Sequence, residues 1–429
     1  MSTAADPGLA PLRRRLRNGL AILAQSTGTH PAVTLALTVP AGAVSDPEDR
    51  TGLAHFVSRL IDRGTASRSS TEIAEALDDR GVTLTTGVNR HLAVVNCSCL
   101  TDDAPSLIEL MGEIAREPVF PPSEVETRRA EIVTAIRQDD DNPANVAADA
   151  MMELLFGGHP YGRRLRGTAA SVQDIARDDI VEFHRRRYGP AGAAIAVVGD
   201  VDPGRAADLV EGAFERWAPV PPPGDPAPPD LAPARRRRVV IPMMDKAQAD
   251  IAYGFGGVRR HDPRYYAALL MNNILGQYGL GGRLGDSIRE RQGMAYYAYS
   301  SLDADLAAGA LAIRAGVSGE NVDRTVASID AEVTRMQRDG VSPAELADAK
   351  RYLIGSMPRL LETNDRIATF LLTAEHFGLG VDFDRRLPGL LEAVTRDEVN
   401  AAAAWLLRSE HASIAIAGPY ADTPAGLAA

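Results

Sequence analysis

His55, Ser58 and Arg59 stand at positions i, i+3 and i+4 of the stretch G-L-A-H-F-V-S-R-L-I-D-R-G-T, residues 52–65. Ala54, Val57, Leu60 and Ile61 recur at helical spacing on another face. The stretch therefore predicts an amphipathic helix that ends at Gly64 and turns the three polar side chains into one space. Two lone-pair donors with a carboxylate beside them at this spacing could hold a zinc ion and activate its water. Here the carboxylate and one donor are missing. Catalytic zinc takes three protein ligands and a water, and one imidazole beside a permanently charged guanidinium supplies neither the number nor the charge. At about 4 Å and an effective dielectric near 20, each unit charge on a metal would meet roughly 4 kcal/mol of repulsion from Arg59. No metal is expected at this helix.

A second constellation is L-G-Q-Y-G-L-G-G-R-L-G-D-S-I-R-E-R-Q-G-M-A-Y-Y-A-Y-S, residues 275–300. A guanidinium such as Arg289 and a phenol such as Tyr296 donate hydrogen bonds, and so can stabilise negative charge developing on an attacked carbonyl oxygen. By residue type alone, a surface arginine and a strand tyrosine kept for folding is the plainer reading. Gly276, Gly279, Gly281 and Gly282 suggest a mobile loop. Phosphate binding is weaker, because no Walker pattern is present.

The elements that must position these residues follow from the rest of the chain. Its 429 residues, 45% apolar, allow two to four domains, and a net charge of -11 argues against nucleic acid or an anionic membrane as partner. The N-terminus lacks the apolar core of a signal peptide and no run of eighteen apolar residues occurs, which points to a soluble, cytoplasmic protein. The two cysteines, Cys97 and Cys99, share one strand face and read as ordinary buried residues.

In order, the patterns predict strands at 18–25 and 32–43, the helix at 52–64, a helix at 71–80 closed by Gly81, and two strands between Val82 and Leu100. Helices follow at 104–116, 123–138, 171–186 and 205–217, with a fully buried strand A-A-I-A-V-V-G-D before the last. The proline-rich stretch 219–238 is the clearest boundary. Beyond it the outline repeats: strands R-V-V-I-P-M and A-D-I-A-Y-G-F-G-G, and a helix over 263–275. Helices near 320–338, 343–355, 364–377 and 396–407 precede a last strand, S-I-A-I-A-G-P. The expected fold class is α+β. Two homologous lobes, 1–218 and 239–429, would each carry a mainly antiparallel sheet covered by helices.

Several segments together resemble one family, the pitrilysin-type peptidases or inverzincins, which include the mitochondrial processing peptidase. Residues 52–65 are similar to the family's G-L-A-H-F-L-E-H-M-L-F-K-G-T, with His55 kept, the catalytic glutamate replaced by Ser58 and the second ligand histidine by Arg59. The family's third ligand, a glutamate before isoleucine in E-R-x-V-x-L-E-E-I, falls on Ala135. His159 to Thr168 resembles the family's H-P-Y-G-x-x-x-x-G-T, where His159 is taken as structural. Residues 275–300 resemble L-G-G-G-x-S-S-R-L-x-x-x-L-R-E-x-R-G-L-A-Y-S-V in register. By that resemblance Arg289 and Tyr296 are the second-lobe pair that contacts the substrate backbone and stabilises the oxyanion.

The resemblance implies more. The strand after the second helix, here Thr83, Leu84, Thr85, Thr86, Gly87 and Val88, is the family's open edge to which an extended peptide adds as a further strand, although an ordinary hairpin strand fits equally. Gly279, Gly281 and Gly282 join it as candidate substrate contacts. Bacterial members often work as heterodimers, one chain bringing zinc and the other the arginine and tyrosine. The expected function is thus the metal-free subunit of a heterodimeric zinc endopeptidase acting on unfolded peptides. It would hold no cofactor itself, and zinc and the general base would lie in a homologous partner. A non-catalytic structural or peptide-binding subunit, like the core proteins of respiratory complexes, is the alternative.

Overall fold

The computed structural model describes residues 8–28, 30–222, 224, 228–229, 235–277 and 281–421. They form two sheets. The first has six strands: β1 (Leu12–Arg15), β2 (Ala21–Ser26), β3 (Ala32–Val39), β4 (Leu84–Val88), β5 (Ala93–Leu100) and β6 (Ala194–Gly199), in the order β1-β2-β6-β3-β5-β4. The second has five: β7 (Arg237–Pro242), β8 (Ala249–Gly256), β9 (Ala295–Ala304), β10 (Ala308–Val317) and β11 (Ser413–Gly418), in the order β7-β11-β8-β10-β9. With β1 set aside the two orders correspond strand for strand. So do the directions: β2 with β6 and β7 with β11 are parallel, and every other pairing is antiparallel. The fold is α+β with an internal duplication.

The chain packs into two compact units. One is formed by Met1–Ile136, Arg164–Gly224 and Ser356–Pro388, the other by Arg137–Arg163, Asp225–Gly355 and Gly389–Ala429. Packing therefore does not follow the single cut at the proline-rich stretch; each unit takes in a helical segment from the opposite half of the chain. Residue size shows why in the first unit. On one sheet face Ile22, Leu35, Leu37, Val95, Ile195 and Val197 join the main core with Phe56, Leu60, Met111 and Phe214. The reverse face is built mainly of smaller residues, Ala21, Ala36, Ala194 and Ala196, with Leu23 and Val198, and the helix Asn364–His376 lies on it through Ile367, Ala368, Leu371 and Leu372. Strand β6 is buried at all six positions because both of its faces are covered. In the second unit the helix Pro143–Phe156 packs on β8 and β11. A Cβ at Gly254 of β8 would lie 2.2 Å from the Met151 sulfur, so a larger residue there would push that side chain aside.

Several predicted boundaries shift for local reasons. The helix predicted at 71–80 is Ser70–Asp78, capped by Ser69 through a capping box with Glu72, and Gly81 at φ +61° closes the turn after it. The helix expected over 171–186 is two, Ala169–Asp174 and Arg177–Arg187, each with its own N-terminal capping arrangement. Helices Pro143–Phe156 and Phe383–Ala393 were not predicted. Cys97 and Cys99 are buried, and burial pushes their thiols up to about 12 and about 11, so neither ionises near neutral pH.

His184, on the helix Arg177–Arg187, is half-buried beside Tyr188 and Phe120, with Nε2 3.0 Å from the Ala115 carbonyl oxygen. Burial pushes its pKa from an ordinary 6.5 down to about 4, and the Ala115 hydrogen bond offsets only part of this. Because the folded value is depressed, the unfolded chain takes up the proton first. Stability is full above about pH 6.5 and falls as the pH drops toward 4. Denaturant unfolding at pH 5 should show about 2 kcal/mol less stability from this group than at pH 7. His184→Gln should remove that part of the acid slope.

Candidate functional site

The helix bearing His55 is shorter than its pattern predicts: only Leu53–Ser58 is α-helical. Beyond it the backbone tightens into i→i−3 bonds, Leu60 N to Val57 O and Arg63 N to Leu60 O, both 3.0 Å, before Gly64 at φ +122°. Ser58 contributes to the early stop. Its side chain is 1% exposed and its hydroxyl donates to the His55 carbonyl at 2.7 Å, competing for the acceptor that also takes the Arg59 amide. At the other end the buried Asp46 carboxylate accepts from the Gly52 and Ala54 amides at 2.8 and 2.7 Å. Asp46→Ala should cost about 2 kcal/mol, read as a lower denaturant midpoint, with Asp46→Asn intermediate.

Two motif glycines fix this helix from below. Gly52 (φ +92°) and Gly167 (φ +72°) interlock: a Cβ on the first would lie 2.5 Å from the Arg166 carbonyl oxygen, and one on the second 2.2 Å from that of Thr51. The G-L-A-H and G-T motifs thus meet backbone to backbone.

The side chains around the helix do not fit a zinc ion. The hydroxyl of Ser58 is spent on its own helix, and Ala135, half-buried on the helix Pro122–Asp140, has no donor. Asp62, the nearby buried carboxylate, has Arg63 Nε 3.3 Å away. Burial raises the Asp62 pKa, against the opposing pull of Arg63, Arg59 and Arg128. Among the described residues no group of three or more His, Cys, Asp or Glu side chains is placed to hold a metal.

Among the described residues β4 is an edge strand, paired only with β5, and Thr83 immediately precedes it. Thr85 is exposed, Leu84, Thr86 and Gly87 are half-buried, and a Cβ at Gly87 would meet nothing within 4 Å. The outer side of β4 is thus open to an added strand.

The duplicated edge of the second sheet is β9, and it carries Tyr296. Arg289 lies in the π-helical stretch Gly285–Arg291 just before it. The spacing between the two is set by Gly293. At φ +61° it turns the chain, its amide and that of Met294 bonding back to the carbonyls of Arg289 and Ile288 at 3.0 and 3.2 Å, and β9 begins at Ala295. The Gln292 amide pins the turn to Ser287 O and Ser328 Oγ at 3.0 and 3.1 Å. This is the physical content of R-E-x-x-G-x-A-Y. Tyr296 is 81% exposed, and the Arg289 side chain is 45% exposed with a long 3.7 Å pairing to Glu290.

The glycine loop is in part a packing device. A Cβ at Gly276 would lie 2.7 Å from the Ser300 amide of β9, and one at Gly282 2.8 Å from Gly276 Cα. Gly282 is buried in this close backbone stacking, Gly281 is exposed, and Gly279 lies outside the described residues. The helix expected over 263–275 is α-helical only over Tyr265–Asn272 and continues as the π-helical turn Asn273–Gln277. His159 accepts from the Tyr161 amide through Nδ1 at 3.1 Å and packs edge-on against the Tyr161 ring.

A duplicated α+β chain with an edge strand, an exposed arginine and tyrosine and, among the described residues, no cluster of metal donors has the form of a peptidase-like protein. Residues 21–169 match the insulinase family, peptidase family M16, and residues 174–353 match the domain described as the peptidase M16 inactive domain. The chain belongs to this pitrilysin-type M16 family. An uncharacterized zinc protease of Mycobacterium tuberculosis is 29% identical over 97% of this chain and 95% of its own length. One from Bacillus subtilis is 23% identical over 96% and 99%. Among solved structures, a peptidase M16 inactive domain from Pseudomonas fluorescens superposes with TM-score 0.89, 24% identity and coverage of 97% and 99%. A Helicobacter pylori protease does so with TM-score 0.89, 16% identity and coverage of 96% and 100%. The last two likenesses carry the fold.

Proposed function

We propose that this chain is the metal-free subunit of a two-chain zinc endopeptidase, in which Arg289 and Tyr296 bind the substrate backbone and donate hydrogen bonds to the oxyanion. A homologous partner chain would bring the zinc and the carboxylate base. The observation that carries the reading is the exposure of Tyr296. A tyrosine kept for folding is buried or half-buried, whereas 81% exposure leaves the ring almost no packing return. The second support is the replacement of every donor at the family's zinc positions except His55, by Ser58, Arg59 and Ala135. The open edge β4 suits an extended, unfolded peptide. The absence of any helix long and apolar enough to cross a membrane, among the described residues, accords with the proposed cytoplasmic setting.

The test is peptidase activity on an unstructured peptide. This chain alone should be inactive, a zinc-bearing homologue from the same source weakly active, and the mixture clearly more active than either. A mixture no faster than the homologue alone would leave the structural-subunit reading in its place.

A further inference from the structure

Tyr296 sits at a fault in its own strand. The register with β10 passes from Gly316 opposite Tyr297 to Val317 opposite Ala295, so Tyr296 has no residue opposite it and is the extra residue of a β-bulge. A bulge re-aims a side chain and interrupts the ladder, and this one lies on a strand that pairs, among the described residues, with β10 alone. Backbone pairing is therefore weakest where the exposed phenol is presented, and side chains must fix the strand there.

The next residue does so. Asp250 of β8, Gly316 of β10 and Tyr297 of β9 stand opposite one another in a row across three strands. The Tyr297 hydroxyl spans the middle strand and donates to the Asp250 carboxylate, which also accepts from Gln248 Nε2 at 3.2 and 3.3 Å. Gly316 makes the crossing possible: a Cβ there would lie 2.6 Å from Tyr297 Cε1 and 2.3 Å from Gln248 Nε2. The arrangement works against stability in two ways. Asp250 is 4% exposed, and burial raises its pKa although the bonds from Tyr297 and Gln248 and the charge of Arg314 oppose this. A glycine inside a central strand also gives up packing.

The duplicated sheet shows that the frame does not require it. Val198 and Ala417, the residues before the strand-ending Gly199 and Gly418, stand opposite Thr34 of β3 and Asp250 of β8. Thr34 in turn stands opposite Ser98 of β5, as Asp250 does opposite Gly316. At this place the first sheet has two neutral hydroxyls that share a hydrogen bond of 2.8 Å. Of the two sheets, the one whose edge carries Tyr296 has the carboxylate, the glycine and the reaching tyrosine.

We infer that Asp250 and Tyr297 are positioning residues, which lock the bulge from the sheet interior and so fix the place of the Tyr296 phenol. This rests on the reading of Tyr296 as an oxyanion donor and adds the residues through which the chain holds it.

The test uses Tyr297→Phe, Asp250→Ala and Asp250→Asn in the full chain, with Thr34→Val as the control from the first sheet. Amide hydrogen exchange of the isolated chain comes first. Tyr297→Phe and Asp250→Ala should quicken exchange over residues 295–299 about tenfold or more, while β8 and β11 keep wild-type protection. Asp250→Asn, which keeps an oxygen to accept the phenol, should stay near wild type, and Thr34→Val should leave β9 unchanged. In the mixture with a zinc-bearing homologue, Tyr297→Phe should lower kcat about tenfold or more, with KM within about twofold. That loss should vanish in a Tyr296→Phe background, because a residue acting through Tyr296 then has nothing left to position. Wild-type exchange over 295–299 in Tyr297→Phe would overturn the proposal, and so would loss of protection across the whole sheet, the mark of a plain core residue. Turnover losses that add in the double variant, or an unchanged kcat beside quickened exchange, would overturn it as well. A mixture with no added activity even from the wild-type chain would sink the two-chain reading and leave the exchange result to decide the clamp, so the two failures are distinct.

Discussion

In the mixture with a zinc-bearing homologue, Arg289→Ala should lower turnover of an unstructured peptide by about 100-fold or more, and Tyr296→Phe should do the same within a few-fold. The magnitude is that of removing one donor from a preorganised oxyanion site, where the hydrogen bond strengthens as charge develops. The loss should fall mainly on kcat, since an interaction made chiefly in the transition state leaves KM little changed. Stability gives the control. Tyr296 is 81% exposed and the Arg289 side chain, 45% exposed, pairs with Glu290 at a long 3.7 Å, so neither variant should shift unfolding by more than about 0.5 kcal/mol. The phenylalanine substitution is the sharper of the two, because it keeps the ring and removes only the hydroxyl. Variants that match wild type in the mixture would return both residues to the status of surface side chains.

How much of this was legible in the sequence depended on the range of the interaction that fixes each element. The buried strand A-I-A-V-V-G and the alternation of β5 follow from local pattern, and both stand as read. The early end of the His55 helix does not, because it turns on a Ser58 hydroxyl bonding to the carbonyl three residues back; nor does its start, which Asp46 caps from outside the helix. Helix Pro143–Phe156 lacks a strong amphipathic stripe since it is packed across β8 and β11, and the residues that receive it, Gly254 among them, lie about a hundred positions away. At the candidate site the residue types were visible, including Arg289, Tyr296 and the lost donors. The mechanism holding them was not. Gly293 could have been read as the αL stop that sets the Arg–Tyr spacing, since a glycine between a helix and a strand pattern is that signal. The stacking of Gly282 on Gly276 and of Gly276 on β9 had no local signature; loop glycines look alike until the backbones they touch are known.

The largest stability effect should come from one of the least conspicuous residues. Gly199 ends β6 at φ +148°, and a Cβ there would lie 2.1 Å from the Ala32 carbonyl oxygen and 2.8 Å from Val33 Cα, both backbone atoms that cannot swing aside. That carbonyl is also needed in place, because it accepts the Asp200 amide at 3.1 Å, while Gly199's own carbonyl accepts from Thr27 at 2.9 Å. Gly199→Ala must therefore displace β3 from β6 at the centre of the first sheet. A cost of about 3–5 kcal/mol is expected, combining a conformation that side chains rarely adopt with an overpacked strand junction. The duplication supplies an independent repeat: Gly418 ends β11 at φ +133°, with a would-be Cβ 2.5 Å from Ala249 Cα and 2.6 Å from the Gln248 carbonyl oxygen. Gly87→Ala is the control, since open space surrounds its Cβ position and its effect should stay within about 0.5 kcal/mol. Hydrogen exchange read separately in β6 and β11 should show protection lost first in the sheet that carries the substitution, because each junction acts within its own unit. Equal loss in both sheets from either variant would instead mean that the two units unfold as one cooperative body. A Gly199→Ala protein as stable as wild type would show that β3 can retreat from β6 without cost, and that the glycine ending both central strands is there for some reason other than backbone approach.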